Sequence, residues 1–172
     1  MSSRIELNNC KDLFDEEKIY MFTSSPLCIL PKKYSKSFSF NEKIKLHLRA
    51  IRGYYLYFVE YNEKMIAYCF LKKNYLGKYS FMNKNDLLIN PYLVIEEHRG
   101  KKLGERILRA ALNNAPSNTK NVWAVVLSDN TPSIKTLQKL DFVLAGYSNI
   151  KRFSHSLTTK RNDKLVFKIN LM

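Results

Sequence analysis

The hydrophobic positions of this chain change period along its length. Residues 54–61 (YYLYFVEY) and 64–72 (KMIAYCFLK) are aromatic and β-branched, and the polar pair Asn62-Glu63 between them predicts a hairpin. Residues 87–95 predict another strand, in which Pro91 removes a ladder donor and calls for a bulge or a splayed edge. The unbroken apolar run 122–127 (VWAVVL) reads as a central parallel strand. Elsewhere the period is helical. Leu103, Ile107, Leu108, Ala111 and Leu112 make the buried face of a helix over 103–113, which Pro116 and Ser117 end. A second helix over 131–140 carries Ile134, Leu137 and Leu140, with Pro132 near its first turn. Asn41 is placed to cap an earlier helix reaching Arg52, with Ile44, Leu48 and Ile51 on one side and Gly53 at its end. Residues 18–24 have weak strand character, and 142–147 and 165–170 close the chain as two strands. Helices interleaved with strands make this a mixed α/β (α+β) chain, read as one domain over 1–172.

Charge sharpens one junction. The strand 87–95 opens through Arg99-Gly100-Lys101-Lys102-Leu103-Gly104 directly into a helix. The first turn of a helix has unpaired N–H groups at the positive end of its dipole. Lys101 and Lys102 add full charge there, so the natural guest is a phosphate or pyrophosphate. The whole chain leans the same way: 29 Lys and Arg against 15 Asp and Glu give +14, which favours phosphates, nucleotides, nucleic acid or an acidic surface. A hydrophobic content of 45% excludes a disordered chain. Cys10, Cys28 and Cys69 have neither CxxC nor metal-ligand spacing. An odd count without a secretory segment predicts reduced thiols in a cytoplasmic protein with no metal. No apolar run reaches about 18 residues, so no membrane span is expected.

The basic turn gains meaning beside a second segment, 130–143 (NTPSIKTLQKLDFV), which follows a buried strand. Together they resemble the GNAT (Gcn5-related) N-acetyltransferase superfamily. Its loop reads Gln/Arg-x-x-Gly-x-Gly/Ala, and its later motif roughly Asn-x-x-Ser-Ile-x-x-Tyr-x-Lys-x-Gly-Phe. The resemblance implies a central mixed sheet of about six to seven strands, splayed between the fourth and fifth and flanked by helices. It implies acetyl-CoA as co-substrate and direct attack by a primary amine in a ternary complex. Arg99 takes the Gln/Arg place and Gly104 the last Gly/Ala place, with Gly100, Lys101, Lys102 and Leu103 completing the wrap around the pyrophosphate. Lys102 replaces the intervening glycine, putting bulk where the backbone approaches phosphate and an ammonium within range of the adenosine 3′-phosphate. Leu93, Val94 and Ile95 match the strand end whose backbone pairs with the pantetheine arm, and Asn130 and Ser133 match polar residues beside it. As purely structural readings, Asn130 starts a turn and Ser133 caps the helix.

Two family features are missing. The tyrosine that protonates the leaving thiolate falls on Leu137, and the usual positions of a Glu or His base hold Leu88 and Asn90. The weak substitutes are Asp86 and Glu60 as base and Ser128, Tyr147 or a water as acid; a solvated carboxylate is the commoner role for the first two. His47 and His98 read as surface residues, as does His155 in the polar stretch between the last strands. The segment 151–164 (KRFSHSLTTKRNDK) reads as a charged hairpin loop whose Lys151, Arg152, Lys160 and Arg161 face an anionic acceptor such as a nucleotide-linked amino sugar. Rival readings are a nucleic-acid-associated protein, a GNAT enzyme acting on aminoacyl-tRNA, and a GNAT-like domain that binds acyl-CoA without turnover.

Overall fold

A computed structural model describes residues 4–6, 18–25, 27–51, 53–74, 77–151 and 154–171. Cys10, Arg52 and Arg152 lie outside the described residues. Among the described residues nine strands form one sheet: β1 (Arg4–Glu6), β2 (Lys18–Thr23), β3 (Tyr54–Tyr61), β4 (Lys64–Lys73), β5 (Leu87–Val94), β6 (Asn121–Leu127), β7 (Val143–Lys151), β8 (Ser154–Thr158) and β9 (Lys164–Asn170). Their spatial order is β1-β2-β3-β4-β5-β6-β9-β7-β8. The helices are α1 (Phe40–Ala50), α2 (Leu103–Asn113) and α3 (Thr131–Lys139). Neighbouring strands run antiparallel except β5 and β6, which are parallel and joined through α2, the crossover that a parallel pair requires.

The sheet exceeds the expected six to seven strands because β1 and β8 were not foreseen. β8 lies inside the segment read as a charged loop. Its sequence, SHSLT, is polar, and it forms because β7 runs on to Lys151 and gives it a ladder partner, with Ile150 opposite His155. With β1 counted, the expected divergence between the fourth and fifth strands falls between β5 and β6, the same two segments.

Both faces of the sheet are covered, so β3 reads as a nearly continuous apolar run. Tyr57 and Val59 pack under α2 with Cys69, Ile107 and Leu108. Leu56 and Phe58 face the other way, into a cluster with Leu46, Ala50 and Phe70. A third cluster, built on Tyr79, Leu88, Trp123 and Val166, fills the space beneath the β4–β5 connection.

α1 departs from the sequence reading in two ways. Its entry is a capping box on Ser39, not Asn41: Ser39 N–H donates to Glu42 Oε2 at 2.8 Å and Glu42 N–H to Ser39 Oγ at 3.3 Å. Ile44, Leu48 and Ile51 do share a side, but it faces solvent, and Leu46 and Ala50 are what the helix buries. Among the described residues no helix is long and apolar enough to cross a membrane, and no group of three or more His, Cys, Asp or Glu is placed to hold a metal ion.

Candidate functional site

The site begins where β5 and β6 part. Their pairing runs from Leu87 opposite Val122 to Ile89 opposite Ala124 and stops there. On its other side β5 bulges. Leu71 faces Ile89 and Cys69 faces Tyr92, so three steps along β5 match two along β4, with the extra residue at Asn90-Pro91. The prolyl ring predicted this, since it has no N–H to give the ladder. Past the bulge the strand turns away from β6 and opens a cavity of about 250 Å³, lined by Asn90, Pro91, Tyr92, Val126 and Leu137 among others.

Beyond Val94 the chain makes one 3₁₀ turn (Glu96–His98), and Arg99 folds back so that its Nε donates to Val94 O at 3.3 Å. Gly100 has φ +80°, and Lys102 has φ +57° and ψ +12°. Lys102, at the family's glycine position, thus holds a left-handed backbone with a side chain on it, at a cost of roughly 1 kcal/mol. Among the described residues no side chain caps α2, and its first helical bond runs from Arg106 N–H to Lys102 O. The N–H groups of its first turn are left to whatever binds there.

These N–H groups open on a larger cavity of about 650 Å³. Of the residues expected to hold coenzyme, Leu93, Val94, Arg99, Gly100, Lys102, Leu103, Gly104, Asn130 and Ser133 all line it. Ile95 and Lys101 do not. The Ile95 N–H is already engaged, donating to Ile66 O at 3.0 Å, and the alternation of the ladder turns the Leu93 backbone toward Tyr68 in the same way, so at the strand end the Val94 N–H is the one on the open side; Lys101 is exposed. Asn130, not Ser133, caps α3: its Oδ1 accepts the Ser133 N–H at 3.2 Å, and Ser133 lines both cavities.

Several lining residues escaped the sequence reading. Lys135 and Lys139 share one face of α3 and add two ammonium groups opposite Arg99 and Lys102. Their spacing of four was the available signal. The acid on this wall, Glu105, is paired with Arg109 at 3.2 Å, so the cavity remains basic. His98 is not a surface residue. It lines the larger cavity, lies edge-on to Tyr61 at 5.6 Å, and its Nδ1 has no hydrogen-bond partner among the described residues. Tyr92 lines both cavities. Burial pushes its phenol up to about 12, the adjacent Cys69 adds to that, and the Thr136 hydroxyl opposes it.

None of the four weak catalytic candidates lines either cavity. Asp86 is fully buried at the opposite end of β5, and its carboxylate accepts the Asn83 N–H, the Asn121 amide and the Trp123 indole N–H at 2.7–2.9 Å. It is not the solvated carboxylate that the sequence suggested. Glu60 pairs with Lys33 at 3.3 Å. Ser128 is exposed and gives its N–H to Asp163 O at 2.8 Å. Tyr147 lies half-buried on β7, opposite Leu165 and Thr158. Leu137, at the family's tyrosine position, is 3% exposed and faces the smaller cavity. His155 is partly buried: Nδ1 lies 2.8 Å from Ser148 Oγ and its ring stacks on Tyr79 at 4.7 Å.

A parallel strand pair thus splays at a bulge, with a basic strand–turn–helix junction at its open end. The family model for the acetyltransferase (GNAT) family matches residues 16–142, and the chain belongs to that family. Among solved structures, a GNAT family acetyltransferase from Elizabethkingia anophelis with acetyl-CoA bound superposes with a TM-score of 0.61 at 15% identity, covering 92% of this chain and 100% of that one. An IAA acetyltransferase from Bacillus cereus gives 0.58 at 13% identity, covering 89% and 99%. The putative acetyltransferase yncA from Salmonella typhimurium, solved with acetyl-CoA, gives 0.57 at 20% identity, covering 77% and 73%. At these identities the likeness is one of fold. No curated protein sequence matches the chain.

Proposed function

We propose that this chain, as one domain over residues 1–172, transfers an acetyl group from acetyl-CoA to a primary amine by direct attack in a ternary complex. The observation that carries the reading is the uncapped first turn of α2, which faces a cavity edged by Arg99, Lys102, Lys135 and Lys139. Unpaired helical N–H groups and four cations suit a pyrophosphate and a further phosphate. Two of the structures similar in fold were solved with acetyl-CoA, which supports the same reading.

In this reading Val94 offers its backbone N–H to the pantetheine arm while Leu93 lines the same groove, Asn130 and Ser133 flank the arm, and the thioester lies in the smaller cavity. Past Ile89 the edge of β5 that faces β6 has no ladder partner among the described residues, so its N–H groups suit the oxygen of a tetrahedral intermediate. The amine attacks the thioester carbon, the C–S bond breaks, and sulfur leaves as thiolate. An ordinary thiol pKa of about 8.5 makes that tolerable without an acid at Leu137. Holding amine and thioester together supplies much of the rate. With no carboxylate or imidazole among the described residues lining the smaller cavity, water carries the ammonium proton away.

For the acceptor we favour an anionic amine, a nucleotide-linked amino sugar, in a cytoplasmic setting. The charge of +14 supports this, as do the exposed Lys160 and Arg161 between β8 and β9. The test is free-thiol release over a panel of amines, in which each amino sugar is paired with its nucleotide-linked form. Release confined to neutral or cationic amines would reject the anionic acceptor. No release with any amine, while acetyl-CoA still binds, would favour a domain that holds acyl-CoA without turnover.

A further inference from the structure

The two cavities share only three lining residues: Tyr92 on one wall, Asn130 and Ser133 on the other. The passage between them is therefore a neck, and the Tyr92 ring forms one side of it. Tyr92 leaves β5 just past the bulge. Its hydroxyl rests against Gly104 in the first turn of α2, so closely that a Cβ on Gly104 would overlap it. A side chain at position 104 would therefore push this phenol off its seat. On the α3 side the phenol meets the Thr136 hydroxyl, whose own proton goes to Pro132 O at 2.9 Å. One side chain so ties β5 to both helices across the groove. Thr136 lines only the larger cavity and Leu137 only the smaller, which places the crossing between them.

We propose that Tyr92 gates the coenzyme groove: its seat on Gly104 and Thr136 is the closed position, and the phenol swings off that seat to let an acyl-pantetheine arm thread from the larger cavity into the smaller. The inference rests on the coenzyme reading above. The neutral phenol does not repel phosphates, so the ring bars the arm by occupying space. A ligand that needs the open position binds more weakly in proportion to how seldom that position is populated. A ligand confined to the larger cavity does not pass the ring and responds less to its position. Adenosine 3′,5′-bisphosphate has the phosphates without the arm; coenzyme A has both.

The experiment measures association rates and affinities of these two ligands with the wild type, Tyr92→Leu and Thr136→Val. Tyr92→Leu removes the ring. Thr136→Val leaves β5 untouched and removes the phenol's partner on α3 together with that hydroxyl's bond to Pro132 O. Thermal unfolding reports whether each variant is folded, and Thr136→Val alone suffices if Tyr92→Leu is not. We expect the association rate and affinity of coenzyme A to rise in the variants by at least threefold more than those of adenosine 3′,5′-bisphosphate. Equal changes for both ligands, no change for either, or slower coenzyme A binding would overturn the gate and make Tyr92 a packing residue or a contact. If the wild type binds neither ligand, the coenzyme reading itself falls; if it binds both, only the gate is in question.

Discussion

The Trp123 indole donates its N–H to the Asp86 carboxylate at 2.9 Å, at the root of the divergence between β5 and β6. Asp86 precedes the paired stretch of β5, Trp123 sits within the paired stretch of β6, and both are buried. The carboxylate holds the two strands together at the end where they must stay together, so that they can separate at the other. Asp86→Ala orphans three donors at once and should destabilise the protein by about 3 kcal/mol in denaturant unfolding. Asp86→Asn, which keeps one accepting oxygen, should lose less. Had Asp86 been a general base, both variants would instead lose turnover at unchanged stability.

Lys102 holds a left-handed backbone on a residue with a side chain. Lys102→Gly should relieve that strain and stabilise the fold by up to about 1 kcal/mol, raising Tm by roughly 2–4 °C for a chain of this size. Lys102→Ala keeps the strain and should give no such gain. A fall in Tm for the glycine variant would mean that contacts of the lysine stem outweigh the strain.

Leu137 combines burial with a view of the smaller cavity. Leu137→Ala should cost about 2–5 kcal/mol, as an emptied core position does. Leu137→Tyr directs a phenol into a cavity of about 250 Å³ and supplies the absent acid. Thiol release with a working acceptor should hold or rise. Loss of coenzyme binding in a folded Leu137→Tyr protein would show that the ring fills the pantetheine path instead.

His155 is held below its ordinary imidazole value, first by burial and then by Lys78 and Lys164. A depressed pKa means that the unfolded chain binds the proton more readily than the folded one. The neutral ring's contribution is thus complete above about pH 6.5 and is lost as pH falls through the lower folded value. Unfolding free energy should fall between pH 7 and pH 5, and His155→Asn should flatten that slope. An unchanged slope in the variant would assign the acid sensitivity to other groups.

What the sequence revealed followed from local physics. The strand–turn–helix junction was legible because an apolar run stops at Glu96, a glycine and two lysines follow, and a helical period starts at once. Pro91 announced the bulge because its missing N–H acts within the strand. Features set by tertiary partners were silent. β8 is polar and becomes a strand only because β7 lies beside it. On α1, Ile44 and Leu48 looked like a core face, yet packing chose Leu46 and Ala50. Tyr92 read as one more aromatic in a strand. Ile89 and Tyr92 both reach the helix-side core although three positions separate them, because the extra residue at the bulge resets the alternation.

The central claim is that acyl-CoA binds with its phosphates on the turn from Arg99 to Gly104. The most direct test is calorimetric titration of acetyl-CoA into the wild type and Lys102→Glu. That substitution keeps a non-glycine residue on the same backbone and reverses one charge at the cavity edge. The account predicts one-site binding to the wild type and at least a tenfold loss in the variant, about 1.4 kcal/mol or more. Equal affinity for the two folded proteins, or no binding to the wild type, would contradict it.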